Sequence, residues 1–212
     1  MQNLNILSVI LFKYDQEKPL KVHETYNLSL FYPWQKPSVK EACSFASRTV
    51  VSRIKKSDFV RVEGILSKES SQLNDYVCFA DIRPEGICIS FVTHKEYPTR
   101  IALQLSSKIY EEWKKLGVNM GEVKESYKLY NFPSASNIIQ DFDNPQNKDK
   151  IMKIQILVEE TKKVITKNIV DLLARGEKIE TLVARSEELS SITKTFFTDA
   201  KKLNKCCQCT IF

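Results

Sequence analysis

Apolar residues in the first quarter of the chain recur with two different periods, which predict two strands followed by a helix. An apolar run from Leu4 to Tyr14 is long enough for a buried strand, and the shorter run from Leu28 to Tyr32 predicts another. Ser38, with Glu41 three residues later, has the pattern of a capping box that begins a helix. The apolar positions of that helix are Val39, Ala42, Cys43, Ala46, Val50 and Ile54.

A second group of strands and a second helix follow. The strand-like runs extend from Phe59 to Leu66, from Tyr76 to Ile82 and from Gly86 to Val92. After Pro98, helical spacing predicts a helix that ends before Gly117. Its apolar positions are Ile101, Leu105, Ile109 and Trp113. The order strand, strand, helix, three strands, helix predicts an α+β fold, in which helices pack on an antiparallel sheet.

The chain beyond Asp149 follows a single helical period. It contains no proline and one glycine, Gly176, and its apolar residues return in steps of three and four, as in a coiled coil. A helix of about 55 residues would reach roughly 80 Å. Because it cannot bury such a stripe against itself, it needs partner helices. The apolar seam positions are Ile151, Ile154, Val158, Ile165, Leu172, Ile179, Leu182, Leu189, Phe196, Ala200 and Leu203.

Polar residues occupy the remaining seam positions, Thr161, Asn168, Arg175, Ser186 and Thr193. An arginine inside a helical bundle costs stability unless partners satisfy its five donors, and its use there is to fix register and partner identity. Arg175 is therefore the candidate that specifies the partners. On the pattern alone, the alternative that Arg175 lies at the edge of the seam, with its charge in solvent, stays open.

Composition argues against several classes of protein. The net charge of +6 is not gathered in one segment, as nucleic-acid binding would require. Neither a transmembrane run nor a signal peptide is expected, so we expect the chain in the cytosol. The phosphate loop of a small GTPase, zinc-ligand spacing and catalytic motifs do not occur, and His23 and His94 are expected in solvent near turns. We expect no enzyme activity, no metal and no cofactor other than covalent lipid.

The last seven residues predict such a lipid. Cys209 to Phe212 fits the C-a-a-X pattern, in which the cysteine carries a prenyl group. One prenyl chain gives weak, reversible membrane binding, so a second signal is needed. Cys206 and Cys207 are candidates for palmitoyl or another second lipid, and nearby lysines offer a basic patch. The choice between these two cysteines, and between farnesyl and geranylgeranyl, stays open.

The stretch from Leu172 to Ile179 resembles the centre of an arginine-class SNARE motif, in which the seam surrounds a central arginine. The resemblance implies a parallel four-helix bundle, in which Arg175 meets glutamines from three glutamine-class SNARE (Q-SNARE) helices. The other layers would be Ile151, Ile154, Val158, Thr161, Ile165, Asn168, Leu172, Ile179, Leu182, Ser186, Leu189, Thr193, Phe196, Ala200 and Leu203.

The first 135 residues resemble a longin domain, through Glu85-Gly86-Ile87-Cys88, Lys95-Glu96-Tyr97-Pro98 and the element order. The whole chain is similar to prenylated longin R-SNAREs of the YKT type, although Gln208 separates two cysteines that are adjacent in that family. The resemblance implies a profilin-like antiparallel sheet with packed helices, followed by a long coiled-coil helix. The implied division is a longin domain at 1–135, a linker at 136–148, a SNARE motif at 149–205 and a lipidated tail at 206–212.

Phe45 lies on the first predicted helix but off its apolar stripe. The resemblance implies that it lines a groove of the longin domain that receives the chain's own SNARE segment or lipid. The pattern does not distinguish this role from an ordinary core contact.

The expected function is intracellular vesicle fusion, driven by bundle assembly with Q-SNAREs and restrained and targeted by the longin domain. The expected location is the cytosol and the cytoplasmic face of endomembranes, such as Golgi, endoplasmic reticulum, vesicles and endosomal or vacuolar membranes. The alternative is a lipid-anchored tether or trafficking regulator that does not itself fuse membranes.

Overall fold

The apolar runs of the sequence form a six-stranded sheet that is covered on both faces. The computed structural model describes residues 5–55, 59–66, 73–124, 130–143 and 164–198. The strands are β1 Ile6–Lys13, β2 Leu20–Tyr26, β3 Phe59–Glu63, β4 Tyr76–Ile82, β5 Ile87–His94 and β6 Val164–Asn168. The helices are α1 Lys36–Val51, α2 Thr99–Lys114, α3 Ser134–Phe142, α4 Ile169–Leu172, α5 Ile179–Arg185 and α6 Ser191–Thr198. None of these described helices is long and apolar enough to cross a membrane.

The strand order is β2-β1-β5-β4-β3-β6. The first five strands pair antiparallel, as predicted, and β1 lies between β2 and β5. The sixth strand differs, because β6 pairs parallel to β3 and so makes the sheet mixed. β6 belongs to the segment that the heptad pattern assigned to a coiled coil.

Each face of the sheet supports its own core. On one face, the predicted apolar positions of α1 are buried together with Leu7, Ile10 and Val60. On the other face, the predicted positions of α2 pack with α3 and residues such as Phe79 and Phe91. The periodicity prediction is confirmed for both helices.

The region before α1 differs from its prediction. The second strand is Leu20–Tyr26, whereas residues 28–32 form a loop. The side chain of Ser38 does not cap α1, which begins at Lys36 after Gln35 and carries proline in its first turn. Proline tolerates this position because the first helical N–H groups have no partner within the helix.

The folded domain continues past the predicted boundary at residue 135. Ala135, Ile138, Ile139 and Phe142 of α3 are buried in the second core. The backbone N–H of Ile6 donates to Asp143 Oδ1 at 2.9 Å, and the Tyr97 hydroxyl donates to the Phe142 carbonyl at 2.9 Å. The linker predicted at 136–148, in a region where some short helix was also expected, is helical up to Phe142, and the apolar face of this helix packs on the sheet.

Candidate functional site: the seam segment and its groove

The described part of the predicted seam, residues 164–198, packs on the chain's own first domain. It forms β6 and the short helices α4, α5 and α6, where the sequence predicted one long helix. The physical reason is that apolar seam residues have no partner helices in a single chain, so they bury their surface against the nearest core. We call this stretch the seam segment.

The seam segment contributes to the core on the α1 face. Ile169, Val183, Leu189 and Phe197 are buried there, and Thr193 is also buried. Leu172, Ile179 and Leu182 are partly buried against the same core. Apolar positions that would face partner helices thus cover the domain.

Three of the covering residues lie outside the predicted seam. Ile169, Val183 and Phe197 each follow directly after a seam position and are fourteen residues apart. This spacing is a second apolar row beside the seam, and it was a signal available in the sequence. The segment therefore presents to its own domain a face that only partly overlaps the face for partners.

Phe45 lies where α1 meets the end of the seam segment. Its side chain is buried, and its ring makes an edge-to-face contact with Phe197, with 5.5 Å between the ring centroids. Aromatic pairs of this geometry add about 0.5–1.5 kcal/mol beyond the area they bury. Phe45 is thus a core residue, and the core at this point includes the seam segment.

The opposite end of the seam segment is held by strand pairing. Residues Phe59 to Glu63 of β3 pair in register with Val164 to Asn168 of β6. Gly64, directly after β3, has φ of +78°, and a Cβ at this position would lie 3.3 Å from the Asn168 amide. Asn168 in turn caps α4 by accepting from the Val170 N–H at 3.1 Å. The close approach explains why glycine suits this corner.

Polar contacts align the segment along α1. Arg53 binds the Glu177 carboxylate at 3.2 and 3.3 Å, and Arg48 binds Glu188 at 3.2 Å. Pairs at a protein surface each contribute about 0–1 kcal/mol. These contacts therefore set the position of the segment more than they supply its binding energy.

Glu41 makes a further contact of this kind. Its carboxylate Oε2 accepts from the Ser190 N–H at 2.8 Å. Burial raises the pKa of Glu41, but hydrogen bonds from Thr193 and Ser190 outweigh it, so the pKa lies below its ordinary value. Glu41, which was predicted to complete a capping box with Ser38, thus contacts the seam segment instead.

Arg175 is exposed, in a turn between α4 and α5 that continues into Gly176 with φ of +85°. The layers predicted on either side of it, Leu172 and Ile179, are partly buried. Chain reversal at this turn separates Arg175 from the core. In this single chain the charge of Arg175 is in solvent, as in the alternative in which Arg175 lies at the edge of the seam.

The other predicted site residues are distributed as follows. Ile165 and Ser186 are half-buried, Asn168 is exposed, and Phe196 lies in α6. Outside the described residues lie Ile151, Ile154, Val158, Thr161, Ala200, Leu203, Cys206, Cys207 and Cys209.

His23 and Cys43 are both buried inside the fold. His23, expected in solvent, is buried, and its ring nitrogens contact the Tyr130 carbonyl at 2.9 Å and Thr25 Oγ1 at 2.6 Å. Burial lowers its pKa. Burial also raises the pKa of the Cys43 thiol to about 12, which makes it a poor nucleophile. Within the described ranges, no cluster of three His, Cys, Asp or Glu side chains could hold a metal ion.

Comparison with known proteins addresses both halves of the chain. The family model for synaptobrevin matches residues 150–210. The synaptobrevin homolog YKT6 of Saccharomyces cerevisiae is 33% identical over 209 residues, which cover 96% of this chain and 98% of that protein. The Yarrowia lipolytica protein of the same name is 35% identical over 179 residues, with 83% and 85% covered. A putative synaptobrevin homolog YKT6 of Dictyostelium discoideum is 30% identical over 207 residues, with 96% and 98% covered.

Proposed function

The chain belongs to the synaptobrevin family, and we propose that it is a vesicle-fusion R-SNARE whose longin domain holds its own SNARE segment until partner helices replace it. The observation that carries this proposal is the packing of residues 164–198 on α1 and on the edge of the sheet. The residues that pack on α1 lie within the stretch that matches the family model, 150–210.

Docking and bundle assembly compete for the same residues. Leu172, Ile179, Leu182 and Leu189 pack on the domain here, and each is a layer of the proposed bundle. A side chain cannot be buried against α1 and against three partner helices at once. Partners therefore gain access only after the segment leaves the groove, which makes the longin domain an inhibitor of assembly.

Assembly also requires a change of secondary structure. Ile165 and Asn168 are seam positions that occupy a strand in this structure. For the seam to continue through them, β6 has to leave β3 and become helical. The hydrogen bonds of the five β6 residues are exchanged for helical ones. The free energy required for opening therefore comes mainly from exposing buried apolar surface.

Arg175 remains accessible while the segment is docked. In the bundle its planar guanidinium would donate to amide oxygens of three glutamines, which lysine cannot match in number or geometry. The partners are therefore SNARE proteins that contribute three glutamine-class helices. The central polar layer sets their register.

Membrane attachment would come from the C-terminal cysteines. Cys209 would carry a prenyl group, with Cys206 or Cys207 carrying a second lipid. Two lipids supply stable anchoring where one does not. Bundle formation that continues to Leu203, a few residues before the anchor, would pull the cytoplasmic face of an endomembrane toward the partner's membrane.

The test is assembly of the full-length chain with three purified Q-SNARE helices. We expect a four-chain complex that resists heat and that fuses liposomes when the tail is anchored. The matched control is Leu182→Asp, which places a charge in one layer and should abolish the complex. A chain that binds membranes but forms no such complex would instead be a tether or regulator.

A further inference from the structure

An exposed aromatic surface lies between β2 and α1, on residues that make none of the contacts with the seam segment described above. Leu30, Tyr32 and Trp34 are 53%, 61% and 72% exposed. They make up half of the large apolar side chains that are strongly exposed among the described residues. Isolated exposed apolar residues are ordinary, but a contiguous group indicates an interaction site. We call these three residues the aromatic loop.

The aromatic loop has a fixed conformation. The rings of Tyr32 and Trp34 are stacked, with 4.6 Å between centroids and 2° between planes. Phe31, which lies between Leu30 and Tyr32 in the sequence, is buried in the core. The Tyr32 N–H donates to Gln35 Oε1 at 3.0 Å, and the Gln35 N–H donates to the Tyr32 carbonyl at 2.9 Å. The two rings are therefore held in place before any partner arrives, which lowers the entropic cost of binding.

The sequence around the aromatic loop carries only positive charges between Glu24 and Glu41. No acidic residue occurs from Thr25 to Lys40, whereas Lys36 and Lys40 are both exposed. Lys40 is paired with Glu24 at 2.8 Å, whereas Lys36 lies two residues after Trp34 and is the nearest cation to the rings in the sequence. Aromatic rings with a polar tip, placed next to lysine, suit the boundary between lipid headgroups and acyl chains.

We propose that the aromatic loop is a membrane-contact site, in which Tyr32 and Trp34 enter the headgroup region of an anionic bilayer and Lys36 binds the lipid phosphates. A protein partner would require a complementary apolar pocket, and the positive charge favours the anionic lipid surface over it. The site does not depend on SNARE assembly or on the lipidated tail. It would give the longin domain a direct contact with the membrane.

The experiment uses the full-length chain without lipid and vesicles of phosphatidylcholine, with or without phosphatidylserine. The chain has two tryptophans, and Trp113 is buried, so a blue shift of the emission on adding vesicles reports Trp34. We expect the shift with anionic vesicles. At about 25 cal/mol per Å², burial of about 55 Å² of the two rings corresponds to tenfold in partitioning.

Variants separate the aromatic loop from the basic tail. Tyr32→Ser combined with Trp34→Ser should bind anionic vesicles at least about tenfold more weakly than wild type. Lys36→Gln should lose about fivefold, on anionic vesicles only. The control Leu116→Ser, at an exposed apolar residue after α2, should bind as wild type. All variants retain the tail lysines, so differences report the loop.

Two outcomes would overturn the proposal. The first is wild-type partitioning of the Tyr32→Ser, Trp34→Ser variant. The second is a wild-type emission spectrum that does not change with vesicles, which would leave the surface for a protein partner. Equal circular dichroism and melting temperature for all variants would exclude misfolding as the cause of any loss.

Discussion

Truncation of Phe197 should release the seam segment without damaging the bundle. Phe197 lies in α6, is buried, and contacts the ring of Phe45. Steps of three and four from Arg175 land on Phe196, so Phe197 is not a layer residue. Phe197→Ala therefore removes a contact that exists only while the segment is docked.

The magnitude follows from the buried ring. A phenylalanine side chain buries about 150–250 Å², which at about 25 cal/mol per Å² gives about 4–6 kcal/mol. Measured losses for large-to-small changes of this kind are about 3–5 kcal/mol. At about 1.4 kcal/mol per factor of ten, the ratio of docked to released protein should fall by about two to four orders of magnitude.

The assay measures hydrodynamic radius and the rate of assembly with three Q-SNARE helices. Phe197→Ala should enlarge the radius and speed assembly, while the final complex keeps wild-type heat resistance. The matched control is Ile192→Ala in the same helix, at a strongly exposed residue outside the layers. Wild-type radius and assembly rate for Phe197→Ala would refute the argument that this contact holds the segment.

Four further changes test other parts of the molecule. Gly64→Ala should speed hydrogen exchange in β6 and raise the assembly rate, because the added Cβ would crowd the Asn168 amide. The control is Gly86→Ala, where φ is also positive but no atom lies within 4 Å of the added Cβ, so it should lower only the melting temperature. The stabilising contact of Glu41 is complete at neutral pH and is lost as pH falls through its depressed pKa, below 4.5, so the hydrodynamic radius should rise there; a radius constant to lower pH would contradict this. Arg175→Leu should leave the docked form unchanged but weaken the bundle by about 1–3 kcal/mol for each glutamine left unpaired; wild-type liposome fusion and recycling by both Arg175→Leu and Arg175→Lys would refute the central-layer role. Cys209→Ser should leave the protein out of floated membranes from cells, and stable flotation would contradict the prenyl anchor.

Local pattern was sufficient for the elements whose burial is decided by one helix or strand. β4 was predicted at its observed bounds, Tyr76–Ile82, because all of its residues are buried. The stripe of α2, from Ile101 to Trp113, was equally clear because one face meets the sheet. The pattern did not predict β2, because this strand carries polar residues such as His23 and Glu24 and forms by pairing with β1.

Long-range pairing explains why the docked site could not be predicted. The heptad seam predicts a helix through Val164–Asn168, yet these residues pair with a strand about a hundred residues earlier. Local periodicity carries no information about such a partner. The run Val164, Ile165, Thr166 is β-branched and so favours a strand, which was the one local hint of the alternative state.

The pairing of β6 with β3 also has a consequence for solubility. When the seam segment departs, β3 becomes the outer strand of the sheet, with a row of backbone N–H and C=O groups that have lost their neighbour. Such a row is a template for edge-to-edge aggregation, which β3 limits by being five residues long and by carrying the charged residues Arg61 and Glu63. Release of the segment in the absence of a partner therefore leaves a domain that tends either to recapture its own strand or to pair with another copy. Opening would therefore have to coincide with the arrival of a partner, and the contact that we propose delays fusion would also protect the domain from aggregation.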